Sequence, residues 1–235
     1  MFTGIITHIG IVEELNFNKE KDLLIKISAI KILQRKLQIG SSISCNGTCL
    51  TLVDKKISAK KNILSFQVSK ETLEKTNFKK LKISDPINLE FAMRLGDEFG
   101  GHLVSGHIDG RAKINKITKI KDSYKFTFTA EKKLLKFISK KGSVTLNGTS
   151  LTVNEVKGNS FSVNLIKHTI DNTTFKFSKI SDLVNLEVDM LARIAIRHSR
   201  KGWNSEGLKK ELDSRLRGND IEEKGMTTKV SRNKK

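Results

Sequence analysis

Short stretches in which apolar and polar residues alternate recur along most of the chain, with a period close to two. In the first half they run Ile9–Leu15, Leu23–Ile27, Ser42–Cys45, Leu50–Val53, Leu64–Val68 and Ile87–Phe91. In the second half they run Ala112–Ile117, Tyr124–Ala130, Ser143–Leu146, Leu151–Glu155, Ser160–Leu165 and Val184–Val188. Clusters of Gly, Asn, Asp and Lys separate them. Six short strands per half, spaced by about 8–15 residues, predict a small antiparallel barrel or sandwich in each half. Two helical patterns interrupt the series, Ala29–Leu37 and Glu131–Ile138, each followed by a glycine suited to end a helix, Gly40 and Gly142. After Met190 the pattern changes. Leu191–Ser199 reads as a helix, and Leu208, Leu212 and Leu216 recur at a spacing that suits a second, amphipathic one.

The two halves are copies of one another. Thr3-Gly4-Ile5-Ile6 matches Ser105-Gly106-His107-Ile108, and Asn46 through Thr51 matches Asn147 through Thr152. Lys70-Glu71-Thr72-Leu73 matches Lys167-His168-Thr169-Ile170. Ile83–Met93 matches Ile180–Met190 at seven of eleven positions. Four blocks in one order, about 100 residues apart, indicate a duplicated domain rather than a solenoid. The expected division is residues 1–97, residues 98–190, and a C-terminal helix with a basic tail over 191–235.

Composition narrows the function. Lys and Arg number 44 against 25 Asp and Glu, a net charge of +19. A basic chain suits phosphate neutralisation, but the lysines are spread throughout, in a chain rich in Lys, Ile and Asn, the residues of A/T-rich codons. The charge is therefore read as compositional bias, and neither nucleic acid nor membrane is expected as a partner. No apolar run reaches the roughly 18 residues of a membrane span, and no signal peptide is expected. Cys45 and Cys49 offer no disulfide framework, which fits a reducing cytoplasmic setting.

MFTGII, NGTCLTLV, GGHLVSGHIDG, NGTSLTV and the paired NLE blocks together resemble the α-type riboflavin synthases over residues 1 to about 194. The resemblance implies an all-β fold of two similar six-stranded antiparallel Greek-key barrels in tandem with a C-terminal helix. It implies a transferase that dismutates two molecules of 6,7-dimethyl-8-ribityllumazine into riboflavin and 5-amino-6-ribitylaminouracil, without metal or redox cofactor. It further implies a homotrimer with the active site between subunits, and raises lumazine synthase as a candidate partner. The rival readings are a lumazine-binding protein without turnover, a flavin reductase barrel and a nucleic-acid-binding barrel. Both LT motifs and the intact SGHID favour catalysis over the first. No Gly-rich phosphate loop supports the second, and scattered aromatics give the third little support.

The resemblance and the duplication together nominate residues. Ser42, Cys49, His107 and Asp189 are the catalytic candidates. His107 stands where the first copy has Ile5, as proton abstraction from an acidic C7 methyl requires of one pocket. Asp189 stands where the first copy has Ala92, so again one pocket gains a charge. Ser42 is matched to Val144, and Cys49 to Ser150, so the two pockets differ as donor and acceptor sites must. Substrate contacts are expected from Phe2, Gly4, Ile5, Ile6, Leu50, Thr51, Gly106, Ile108, Lys141, Ser150, Leu151 and Thr152. They are also expected from a ligand-lining strand in each half, Gln67, Val68, Ser69, Lys70, Glu71 and Thr72, and Ile166, Lys167, His168, Thr169, Ile170 and Asp171. Gly47 and Gly148 are read with Gly4 and Gly106 as places where backbone meets a flat ring. His102 is read as structural, Cys45 as a small buried residue, and no metal site is expected. Two departures concern the second half: Lys167-His168 replaces a usual Pro-Glu, and Asn147 stands where Asp is common.

Overall fold

A computed structural model describes residues 1–30, 37–58 and 61–200. The pattern of leucines at 208, 212 and 216, and most of the helical pattern before Gly40, lie outside these residues. Among the described residues twelve strands form. In the first half they are β1 (His8–Phe17), β2 (Leu23–Ala29), β3 (Ser42–Cys45), β4 (Thr48–Lys56), β5 (Asn62–Val68) and β6 (Pro86–Phe91). In the second half they are β7 (Gly110–Ile120), β8 (Ser123–Ala130), β9 (Ser143–Leu146), β10 (Thr149–Lys157), β11 (Ser160–Ile166) and β12 (Leu183–Val188). The first set closes in the order β1-β2-β5-β4-β3-β6 and the second in the equivalent order β7-β8-β11-β10-β9-β12. Every pairing is antiparallel. In each barrel three consecutive strands are followed around the wall by the strand that precedes them, as β3-β4-β5 is by β2, which is the Greek key.

Alternation decides which side chains go inside. Leu23, Ile25 and Ile27 of β2 and Leu64, Phe66 and Val68 of β5 fill the first core; Phe126 and Phe128 of β8 and Phe161, Val163 and Leu165 of β11 fill the second. Burying one such side chain is worth about 1.5–3 kcal/mol. Bulges between Val12 and Glu14 and between Leu52 and Asp54 recur between Ile114 and Lys116 and between Val153 and Glu155. An extra residue bends a strand, and closing so small a sheet needs that bend in each copy. Short helical turns cover the barrels: α1 (Lys70–Lys75), α2 (Lys132–Leu135) and α3 (Lys167–Asp171). α2 falls inside the expected Glu131–Ile138 pattern. The strand expected to run through Thr72 and Asp171 instead ends at Val68 and Ile166. Ser69 caps α1 through Thr72 N–H at 3.3 Å, and a capping serine turns the chain out of extended conformation. α4 (Met190–Arg200) follows β12. Met1–Arg193 forms one compact unit and Ile194 begins another.

The two cores are separate, and the barrels meet through polar groups. Asn46 and Gly47, with φ of 45° and 83°, form the two-residue turn between β3 and β4; Asn147 and Gly148, at 45° and 82°, form that between β9 and β10. Asn-Gly is the pair this left-handed hairpin turn prefers. The turns meet back to back: a Cβ on Gly47 would lie 2.7 Å from the Gly148 nitrogen. Turn geometry and this approach therefore account for Gly47 and Gly148 without a ligand.

Beneath them lie Asn88 on β6 and Asn185 on β12, both fully buried. Within each barrel Asn88 N–H donates to Asn46 Oδ1, and Asn185 N–H to Asn147 Oδ1, each at 2.8 Å. Their side chains reach into the opposite barrel. Asn88 Nδ2 donates to the Asn147 carbonyl at 2.8 Å and Asn88 Oδ1 accepts from Thr174 N–H at 2.7 Å. Asn185 Nδ2 donates to the Asn46 carbonyl at 2.9 Å and Asn185 Oδ1 accepts from Asn77 N–H at 2.7 Å. Asn147 acts here as an acceptor in a left-handed turn, and Asp serves both purposes, so that departure leaves the junction intact.

Asn185→Ala strands the Asn46 carbonyl and the Asn77 N–H. The expected loss is about 2–4 kcal/mol of unfolding free energy, read as a lower denaturant midpoint at unchanged slope.

Candidate functional site

Each copy sends the segment before its first strand across to the other barrel. Phe2 and Val104 pair as an antiparallel bridge at the crossing, with Phe2 N–H to Val104 O at 2.8 Å and Val104 N–H to Phe2 O at 3.1 Å. Both side chains are fully buried. The Phe2 ring therefore serves as the seal of the junction.

Beyond the crossing, Gly4 lies on β10 and accepts from Ser150 N–H at 2.8 Å; Gly106 lies on β4 and accepts from Cys49 N–H at 2.9 Å. With φ of 77° and 83°, both need glycine. A Cβ on Gly4 would stand 2.6 Å from that of Ser150, and one on Gly106 2.5 Å from that of Cys49. The crossing sorts the candidates into two clusters. In the first, Ser42, Cys49 and Thr51 on β3 and β4 meet Gly106, with His107 and Ile108 following it. In the second, Ser150 and Thr152 on β10 meet Gly4, with Ile5 and Ile6 following it.

Strand alternation turns these side chains outward. Cys49 and Ser150 are half-buried and Thr51 and Thr152 exposed, while Leu50 and Leu151 point into the cores. Leu50, Leu151 and Val68 thus spend their side chains on the barrels and leave backbone alone for a ligand. Ser42 stands opposite Thr51, and Ser143 opposite Thr152. The structural mate of Ser42 is therefore Ser143, not Val144; one residue fewer before β9 misaligned the copies, and the inferred asymmetry at this position disappears. Lys141 is exposed in the turn before β9, with φ of 69°. Gln67 is tied to Asp22 at 2.8 Å, and Lys167 to Asp171 at 2.6 Å. His168 and Thr169 sit on α3, and Ile170 packs on the second core.

The two charged additions serve different clusters. His107 is exposed and follows Gly106 onto the first barrel's strand. Asp189 caps α4, its Oδ1 accepting from Leu191 N–H at 2.9 Å. It also acts on His102, which belongs to the second cluster. His102 Nδ1 lies 2.7 Å from Ser150 Oγ and Nε2 3.0 Å from Thr145 Oγ1. Burial pushes the His102 imidazole below its ordinary range, and the Asp189 charge opposes that shift. In the first cluster the counterpart of Thr145 is Ser44, whose buried Oγ has no hydrogen-bond partner. The clusters thus differ at Cys49 against Ser150, His107 against Ile5, and a histidine present or absent behind the strand.

Sequence reasoning missed two carboxylates. Glu90 and Glu187, 4% exposed each, hold the two crossing segments. Their signal was present: each NLE block sets a charged residue in a strand otherwise uncharged. Burial pushes both upward, against hydrogen bonds that pull them down. The last residue of SGHID, Asp109, accepts from Val188 N–H at 2.9 Å and pairs with Arg193, anchoring the motif to β12. Among the described residues no three His, Cys, Asp or Glu side chains converge as a metal would require. A groove of about 550 Å³ lies between Lys80–Pro86 and Phe177–Val184, and none of the nominated contacts lines it.

A model of the lumazine binding domain matches residues 3–92 and again 105–189. Riboflavin synthase of Brucella abortus (strain 2308) is 44% identical over 199 residues, which span 84% of this chain and 97% of that protein. Riboflavin synthase of Bacillus subtilis (strain 168) is 35% identical, over 86% and 91%. The crystal structure of LumP complexed with riboflavin superposes with a TM-score of 0.72 at 25% identity, covering 80% of this chain and 99% of that one.

His102 sets a pH dependence. A depressed histidine is neutral in the fold but protonated in the unfolded chain below about 6.5. Its contribution is complete above that value and is lost as pH falls through it. The two raised glutamates act with the opposite sign. The parent's denaturant midpoint should therefore fall between about pH 7.5 and 5.5, and His102→Gln should flatten that fall.

Proposed function

The chain belongs to the riboflavin synthase family, and on that premise we propose that it transfers a four-carbon unit between two molecules of 6,7-dimethyl-8-ribityllumazine. The products are riboflavin and 5-amino-6-ribitylaminouracil. The observation that carries this reading is the pair of related but unequal clusters, one around Cys49 and His107, the other around Ser150 and His102. The reaction joins two copies of one molecule in different roles. A duplicated scaffold supplies two similar recognition surfaces, and their differences supply the roles. Holding both molecules in reacting geometry replaces a bimolecular entropy cost worth about 7–11 kcal/mol at best.

His107 takes the proton from the C7 methyl of one molecule. Its exposed imidazole, on a loop fixed against the Cys49 strand, offers a base open to an incoming substrate. Thr51, Thr152, Ser42 and Lys141 supply short polar groups for pteridine or ribityl contacts. Asp189 and Ser150 act at the second cluster, where Asp189 steers the charge state of His102. Both clusters lie on outer barrel walls, which suits a site completed by a neighbouring subunit. The assembly is a homotrimer that pairs the first barrel of one subunit with the second barrel of the next. The compartment is the cytoplasm.

The test is turnover of purified protein with 6,7-dimethyl-8-ribityllumazine in the presence of a chelator. Riboflavin and the pyrimidine should appear in equal amounts. Binding without product would turn the reading to a lumazine-binding protein, and neither would overturn it. His107→Ala should lower kcat by about 10²–10⁴-fold while leaving lumazine affinity, measured by fluorescence titration, nearly unchanged.

A further inference from the structure

Residues 105–109 are in neither helix nor strand, yet this segment presents His107. One side chain fixes it. Glu187 Oε1 accepts from Ser105 N–H and from Ser105 Oγ, each at 2.7 Å, and Oε2 accepts from Gly106 N–H at 3.0 Å. Ser105 Oγ in turn accepts from His107 N–H at 3.1 Å. A single carboxylate thus orders three consecutive residues, directly or through one hydroxyl. All three groups facing Glu187 are donors, so an ionised carboxylate, which only accepts, satisfies them all; a neutral acid or an amide would set a donor among donors. On its own barrel Glu187 stands opposite Thr145 on β9. The segment it holds reaches the other barrel, where Gly106 takes the Cys49 N–H.

From this geometry we infer that Glu187 is the positioning residue for His107: it sets where the imidazole stands over the Cys49 strand without touching substrate. The inference rests on the role proposed for His107. Glu90 is its counterpart, accepting from Thr3 N–H at 2.7 Å, Thr3 Oγ1 at 3.0 Å and Gly4 N–H at 3.1 Å. The segment Glu90 holds carries the apolar Ile5, so the two devices share a geometry and differ in what they aim. An imidazole displaced by about 1 Å transfers a proton poorly, and such misplacement costs about 10²-fold in rate.

The test is a double-mutant cycle on the full chain with Glu187→Gln and His107→Ala. Glutamine keeps the size and one acceptor but turns an amide N–H₂ toward Gly106 or Ser105. Glu187→Gln alone should lower kcat by about tenfold to a hundredfold with KM for 6,7-dimethyl-8-ribityllumazine changed less than about threefold. In the His107→Ala background the same substitution should change kcat less than about twofold. An equal loss in both backgrounds would mean a general structural role, and no loss in the parent would mean that the segment does not need the carboxylate; either overturns the inference. If His107→Ala alone leaves turnover unchanged, the fault lies in the role given to His107 and not in Glu187. Ser105→Ala removes the hydroxyl relay alone and keeps both backbone bonds to Glu187. Should Glu187→Gln fail to fold, Ser105→Ala must show a smaller loss of kcat with the same dependence on His107, and its absence is equally decisive.

Discussion

Two barrels that each close on their own core share little apolar interior beyond Phe2 and Val104, so what joins them is chiefly directional. Here it is a set of buried backbone and amide hydrogen bonds that cross from one copy to the other and back. The asparagines at 88 and 185 spend both ends of their side chains on the opposite barrel, and Gly4 and Gly106 take amide hydrogens from strands that are not their own. Buried polar groups are costly when unpaired. The relative placement of the barrels is therefore defined sharply: a slip breaks several such pairs together, whereas an apolar contact would tolerate sliding. The glycines at the crossing follow from the same closeness.

That constraint also builds the site. Because the segment before each first strand crosses over, each cluster draws wall residues from one copy and a loop from the other. Neither barrel alone carries the arrangement. A duplicated gene thereby gains two recognition surfaces, and single substitutions differentiate them: His107 against Ile5 on the loops, Cys49 against Ser150 on the walls, and His102 behind one wall where Ser44 lies unpartnered behind the other. A reaction that consumes two copies of one molecule in unequal roles needs both the similarity and the difference. The buried glutamates hold the crossing loops at the cost of desolvating two carboxylates, which several charge-assisted hydrogen bonds each offset.

Much of the fold was legible because its signals are local. Alternation marked all twelve strands, and the repeat announced two copies of one barrel. The motifs also led to the residues that gather around Cys49 and Ser150. What stayed hidden depends on contacts about 100 residues apart. No periodicity states that Gly106 crosses to β4, so His107 and Asp189 were counted as additions of one kind when they serve different clusters. The bridge from Phe2 to Val104 was hidden as well, because an aromatic near the terminus carries no sign of it. The mate of Ser42 was misjudged by one residue, since the length difference before β9 is fixed by strand register rather than by similarity. The strand expected through Thr72 and Asp171 missed a capping serine in the first copy. Glu90 and Glu187 were overlooked although the repeat displayed them, because a charge in a strand is ordinarily read as facing water.

Reciprocal backbone bonds lock the two barrels, so the amides of Cys49 and Ser150 must open together. Native-state hydrogen exchange followed by nuclear magnetic resonance, residue by residue and across low denaturant concentrations, measures this directly. Both amides should exchange through one shared opening, with free energies within about 1 kcal/mol of each other and the same denaturant dependence. Such a lock would be contradicted if either amide exchanged through a small local fluctuation insensitive to denaturant while the other followed the larger opening.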